Sequence, residues 1–163
     1  MTEDQEHLRQ ALRAIPWFAE LAAEHFDQLL DIGFTLQAEP GEHLFQEGDP
    51  QDYLYVLLRG RVAIELHVPA RGRLRLATVE PPEVFGWSSV TPVVRQRTAS
   101  ATVVLPSELA AFDADQLRML MDQDHDLGYL VMRRMANVIA GRLLTTRLQW
   151  LDMFALPGQR GSG

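Results

Sequence analysis

The chain has 163 residues, 47% of them hydrophobic and 23% charged, which favours one soluble globular domain over two. It contains no cysteine, so disulfides and thiolate metal sites are excluded and a cytoplasmic location is favoured. The net charge of −7 disfavours nucleic acid as a partner, and neither a secretory signal nor an apolar run of the ~18 residues that a membrane span needs is present.

Apolar residues at helical spacing predict helices at both ends of the chain. Residues 4–31 show this spacing, and Pro16 is expected to divide them into two helices. Asp113 is a suitable N-cap for a short helix, and a longer helix is predicted over 126–154. The Gly-rich tail, 157–163, is expected to be disordered.

The middle of the chain, 33–112, has the pattern of short strands. Apolar and polar residues alternate in runs at 53–57, 62–68 and 74–79, and glycine or proline separates the runs. The sequence therefore predicts an α+β domain over 1–156, in which N-terminal helices and a long C-terminal helix flank a jelly-roll-like antiparallel β-roll.

The most specific motif is PGEHLFQEGDPQDYLYVLLRGRV, from Pro40 to Val62. It predicts three tight turns in which Gly41, Gly48 and Gly60 have positive φ, with the apolar residues between them pointing into one core. This pattern closely resembles the cyclic nucleotide-binding domain family, in particular its Crp/Fnr-like bacterial sensor domains. The resemblance implies a β-roll sensor with a role in signal transduction, and it assigns a structural role to the turn motif.

The resemblance also implies a ligand site between two strands, where a short turn that opens with Phe-Gly-Glu and a following Arg hold a cyclic phosphate. Here Phe85-Gly86 matches the start of this segment and Arg97-Thr98-Ala99 matches its end. Arg95 is a competitor for the role of Arg97, in a register that fits less well. The residues implied to bind the phosphate are Arg97, with Thr98 and the backbone amides of Gly86, Ser88 and Ser89.

Trp87 stands where the family has the glutamate that accepts a hydrogen bond from the ribose. An indole can donate a hydrogen bond but cannot accept one, and it is bulky. Three outcomes follow: a ligand bound with altered selectivity, a pocket that Trp87 plugs while Arg97 pairs with a carboxylate, or ordinary cyclic AMP or cyclic GMP binding. In the first case Trp87 would stack on a base or another aromatic group.

The long helix at 126–154 carries an apolar series with alternating spacings of four and three residues, as in the seam of a two-stranded coiled coil. The series consists of Met132, Ala136, Ile139, Leu143, Thr146, Trp150 and Met153. The spacing predicts a homodimer, with intramolecular packing of the helix as the alternative. Thr146 is either a contact to a nucleotide base, as the resemblance implies, or a tolerated polar residue in the seam.

The sequence contains neither a G-x-S-x-G nucleophile elbow nor a histidine pair at metal-ligand spacing. We therefore expect a protein that is not an enzyme. Only a short Gly-rich segment follows Phe154, so direct DNA binding through a helix-turn-helix is not expected. The leading hypothesis is a stand-alone regulatory module that senses a nucleotide or other small anion, needs no further cofactor and acts on an unknown protein partner. The alternative is a ligand-free interaction or dimerisation protein with the same fold.

Overall fold

The computed structural model of the protein describes residues 2–91 and 93–155, so the tail at 157–163 lies outside the described residues. The helices of this part are α1 (Glu3–Arg13), α2 (Pro16–Ala19), α3 (Ala23–Asp31), α4 (Ala114–Gln123) and α5 (His125–Phe154). The strands are β1 (Gly33–Ala38), β2 (His43–Phe45), β3 (Tyr53–Val68), β4 (Gly72–Val79), β5 (Val84–Phe85) and β6 (Ser100–Asp113), with a 3-10 helix at Trp87–Val90.

The strands form one antiparallel sheet with the order β1-β6-β3-β4, in which β2 also pairs with β6 and β5 with β3. The long strands β3 and β6 pair from Tyr53 with Asp113 to Glu65 with Ser100, and their register shifts three times along the way. Each shift adds a local bend, and such bends let a sheet curve into a roll. The fold class predicted from the sequence, a β-roll between helices, is confirmed.

The N-terminal part of the chain holds three helices and not the two predicted, and local sequence signals mark the start of several helices. Pro16 is the first residue of α2, where its missing N–H costs no helical hydrogen bond. The carboxylate of Asp113 accepts from the backbone N–H of Gln116 at the start of α4, as the sequence predicts. Asp124 caps α5 in the same way, so the long helix begins at His125, one residue earlier than expected.

Two apolar clusters lie on opposite faces of β3, and the expectation of one core behind the turn motif is therefore wrong. Leu54 and Val56 pack with the N-terminal helices and the first half of α5. Tyr55 and Leu57 point the other way, into the interior of the roll. Successive strand residues alternate between faces, and both faces of β3 are covered in this fold.

Gly41, Gly48 and Gly60 all have positive φ, of 91°, 86° and 98° respectively, which confirms that part of the prediction. The first two lie in turns, but Gly60 lies inside β3, which runs without a break from Tyr53 to Val68. The pairing with β6 shifts register between Arg59 and Arg61, so Gly60 is the residue at an irregularity in the ladder and does not separate two strands.

Candidate functional site

A cavity of about 190 Å³ lies between the roll and the long helix α5. It brings together the two parts of the predicted phosphate segment and one face of the helix. The residues that line it are Phe45, Ile64, Leu76, Ala77, Phe85, Gly86, Trp87, Ser88, Arg97, Thr98, Ala99, Arg142, Thr145 and Thr146. Aromatic and aliphatic side chains make most of the wall, and a few polar groups converge on it, as is usual in small-molecule sites.

The turn motif holds the backbone of Arg97 in place. The N–H of Gly48 donates to the carbonyl oxygen of Arg97 at 2.8 Å, and the N–H of Arg97 donates to the carbonyl oxygen of Asp49 at 2.9 Å. These paired bonds tie the segment that carries Arg97 to the second turn of the motif. The motif therefore has a second role beyond the structural one assigned from the sequence, because it positions the arginine at the cavity.

The Arg97 side chain is only 3% exposed. Its Nη1 donates to the carbonyl oxygen of Gly86 at 3.1 Å and its Nη2 to that of Tyr53 at 2.6 Å, while the guanidinium carbon lies 4.1 Å from the centre of the Phe45 ring. Nε is buried and has no hydrogen-bond partner among the described residues. Within this part of the chain no carboxylate forms an ion pair with Arg97, although Asp49 and Asp52 lie near enough to favour its charged form.

The Arg97 guanidinium keeps its positive charge despite its burial. Burial lowers the pKa of Arg97, and the nearby Tyr55, Asp52 and Asp49 act in the opposite direction. An arginine nevertheless stays protonated in proteins. Burial also raises the pKa of the Tyr55 hydroxyl to about 12, so this phenol is neutral under physiological conditions. The cavity wall at Arg97 is therefore cationic.

Gly86 approaches Arg97 closely. Its φ is 74°, and a Cβ at this position would lie 3.0 Å from Nη1 of Arg97, so only glycine fits without displacing the guanidinium. Ser88 lines the cavity and its hydroxyl donates to Oε1 of Gln51 at 3.0 Å. Thr98 is exposed at the rim of the same cavity. Three of the residues predicted beside the phosphate thus lie together with Arg97.

Ser89, also predicted beside the phosphate, is not among the residues that line the cavity. The side chain is 1% exposed, and its backbone N–H donates to the carbonyl oxygen of Gly86 at 3.1 Å within the 3-10 helix. Its carbonyl oxygen accepts from Arg118 of α4. The amide is used in the helical turn and is not available to a phosphate in this conformation. The resemblance could not show this, because the shape of the turn decides which amides remain unpaired.

Trp87 lines the cavity without filling it. Its side chain is partly buried and packs against the cluster formed by the N-terminal helices and α5. One side of the indole therefore rests on the protein core, and the cavity remains beside it. This arrangement places an aromatic wall where the family has a ribose-binding acid.

The helix α5 contributes Thr146, the predicted base contact, and two residues that sequence reasoning missed, Arg142 and Thr145. The hydroxyl of Thr146 donates to the carbonyl oxygen of Arg142 at 2.9 Å, and that of Thr145 donates to Gly141 at 3.0 Å. Residues four apart on a helix share a face, so the choice of Thr146 already pointed to Arg142.

Among residues 2–91 and 93–155, no helix combines the length and apolar character required to cross a bilayer. The same residues contain no cluster of three or more His, Cys, Asp or Glu side chains arranged to hold a metal ion.

The fold and site define a class of domain in which a β-roll and a long helix border a cavity with two arginines. Comparison with known proteins identifies its family. The sequence profile of the cyclic nucleotide-binding domain matches residues 35–124. The chain therefore belongs to the cyclic nucleotide-binding domain family.

Individual relatives agree with this assignment. The CRP-like cAMP-activated global transcriptional regulator of Mycobacterium tuberculosis is 32% identical over 125 residues, which are 73% of this chain and 53% of the regulator. A cyclic nucleotide-binding domain from Methylobacillus flagellatus has a TM-score of 0.76 at 25% identity, covering 95% of this chain and 86% of that domain. The Thermus thermophilus catabolite activator protein has a TM-score of 0.67 at 28% identity, covering 86% of this chain and 63% of the activator. The chain thus spans about half the length of the M. tuberculosis regulator.

Proposed function

We propose that this protein is a non-enzymatic regulatory module that binds a nucleotide or related small anion in the cavity between the roll and α5. Trp87 alters the selectivity of the site, and Arg97 binds the anionic group. The cytoplasm is the proposed place of action, in line with the absence of cysteine. Binding would change how α5 meets a protein partner.

The observation that carries this proposal is the buried, cationic wall of the cavity. Burying a charge is costly unless it is paired or hydrogen-bonded, and Arg97 is held there by two backbone carbonyls without a carboxylate. Its unpartnered Nε leaves hydrogen-bonding capacity unused. A bound anion would supply the missing charge.

Thermal unfolding with a panel of nucleotides, cyclic nucleotides and cyclic dinucleotides tests the proposal. A ligand at 100 times its Kd is expected to stabilise the protein by about 2.7 kcal/mol. If no anion in the panel shifts the Tm, the sensor function is wrong.

The alternative function is a ligand-free interaction or dimerisation protein. The two hydrogen bonds from Arg97 to Tyr53 and Gly86 favour it, because they satisfy part of the guanidinium without any ligand. It predicts that Arg97→Gln leaves partner binding unchanged, whereas the sensor function predicts that ligand-dependent partner binding is lost.

The substitution Trp87→Glu is expected to raise the affinity for cyclic AMP by about tenfold or more, because a charged acceptor for the ribose hydroxyl is worth ~1.5–3 kcal/mol. Isothermal titration of the wild type and the variant measures the change. Trp87→Gln is the matched control, since it removes the same bulk but supplies a neutral acceptor. Equal gains in both variants would assign the effect to bulk, and no gain in either would place the exclusion elsewhere in the cavity.

A homodimer through α5 is the second part of the proposal. The buried residues of this helix, Leu127, Gly128, Val131 and Met135, all lie in its first half. In the second half the apolar side chains are exposed, including Leu143, Trp150 and Met153 of the predicted seam. A second copy of α5 would cover them as in a coiled coil.

The substitution Leu143→Asp is expected to weaken the dimer at least tenfold, because it places a charge in the apolar seam. Leu148→Asp is the matched control: Leu148 is as exposed in the single chain, 55% against 50% for Leu143, but lies on another face of the helix. Sedimentation velocity over a concentration series measures both. A dimer that survives Leu143→Asp but dissociates with Leu148→Asp would show that the interface uses that other face.

A further inference from the structure

A second arginine at the cavity, Arg142 of α5, is held by a carboxylate outside it. Its Nη2 lies 3.0 Å from Oε2 of Glu83, which is not one of the cavity residues. Glu83 directly precedes β5, and its carbonyl oxygen accepts from the N–H of Leu57 in β3 at 3.0 Å. The ion pair therefore links the long helix to the segment that leads into Gly86.

The described lining of the cavity contains two guanidinium groups and no carboxylate. In the family pattern, the position of Trp87 would add a negative charge to this wall. Without that acid, a ligand with one negative charge can neutralise Arg97, and Arg142 then remains paired with Glu83. A ligand with two negative charges carries enough charge to balance both arginines of the lining.

Arg142 is the group on α5 that can bind an anion. The other two cavity residues of the helix, Thr145 and Thr146, use their hydroxyl protons on backbone carbonyls one turn back. The side chains of Arg142 and Glu83 are 24% and 44% exposed, and ion pairs this exposed contribute little to stability. An anion inside the cavity can therefore compete with Glu83 for Arg142.

We propose that the ligand is a nucleotide with an acyclic, doubly charged phosphate, and that Arg142 selects it over cyclic nucleotides. A phosphate monoester carries a charge of about −1.5 to −2 at neutral pH, whereas a cyclic phosphodiester carries one negative charge. Binding draws Arg142 from Glu83 and so releases α5 from the segment before β5. This inference rests on the proposed sensor function.

The test is isothermal titration of AMP, GMP, cyclic AMP and cyclic GMP into the wild type and three variants. The wild type is expected to bind at least one acyclic nucleotide tenfold or more tightly than its cyclic counterpart. Arg142→Gln is expected to remove this preference while binding persists. Arg147→Gln, the matched control on the same helix but outside the cavity, is expected to keep it. Glu83→Gln is expected to raise the affinity for the acyclic nucleotide severalfold, because it frees Arg142.

Equal or tighter binding of the cyclic nucleotides by the wild type overturns the inference, and so does a preference that persists in Arg142→Gln. If none of the four nucleotides binds but another anion stabilises the protein through Arg97, the ligand class is wrong and the sensor function stands. If no anion binds at all, the proposed sensor function and the proposed ligand class are both wrong.

Discussion

The substitution Arg97→Gln is expected to weaken ligand binding by about 10- to 150-fold, since a hydrogen bond to a charged group contributes ~1.5–3 kcal/mol. A large effect on binding is expected because Arg97 is buried at the cavity wall and forms no ion pair with a carboxylate of the described chain. Glutamine keeps a polar side chain at this position but carries no charge.

Arg95→Gln is the matched control for this variant. Arg95 is exposed two residues earlier in the same loop, and it is the competing candidate from the sequence. Isothermal titration with the tightest ligand of the thermal panel measures both variants, and circular dichroism establishes that Arg97→Gln is folded. If Arg97→Gln does not fold, Arg97→Lys keeps the charge without the bidentate geometry and is expected to lose affinity as well. Wild-type affinity in a folded Arg97 variant, or a larger loss in Arg95→Gln, would contradict the assignment.

Part of the candidate site was predictable from the sequence, because short segments carry its residues. Phe85-Gly86 and Arg97-Thr98 are recognisable as written, and the structure places Gly86, Arg97 and Thr98 around one cavity. Trp87 is also visible as a departure from the family pattern. Whether its indole fills the pocket depends on which residues the ring packs against. Here the ring packs against the cluster of the N-terminal helices and α5, beside the cavity.

The parts that were not predictable depend on contacts distant in the chain. Glu83 and Arg142 are 59 residues apart, and neither belongs to a motif. Ser89 lies in the matching segment, but its amide is used by the 3-10 helix, a local geometry that residue types do not determine. The separate packing of the two faces of β3 was not predictable for a similar reason. Only the assembled fold shows that helices cover one face and the roll encloses the other.

The three glycines of the turn motif look alike in the sequence but differ in their surroundings, and one of them gives the largest expected effect on stability. The sequence identifies Gly41, Gly48 and Gly60 as positions of positive φ, and in that respect they are alike. Their surroundings differ. A Cβ on Gly48 would have nothing within 4 Å, whereas a Cβ on Gly60 would lie 2.5 Å from the carbonyl oxygen of Pro106 and 2.7 Å from Cα of Ser107.

Gly60→Ala is therefore expected to lower the free energy of unfolding by about 2–5 kcal/mol, of which ~1–2 is the cost of positive φ and ~1–3 that of overpacking against β6. Gly48→Ala, the matched control, has a similar φ and open space, so a loss of only about 1–2 kcal/mol is expected. Equilibrium unfolding in urea measures both. Because the neighbour of Gly60 is backbone, it cannot move aside as a flexible side chain would. Equal losses in the two variants would mean that β6 shifts at this irregular point of the ladder, and that Gly60 is required for its φ alone.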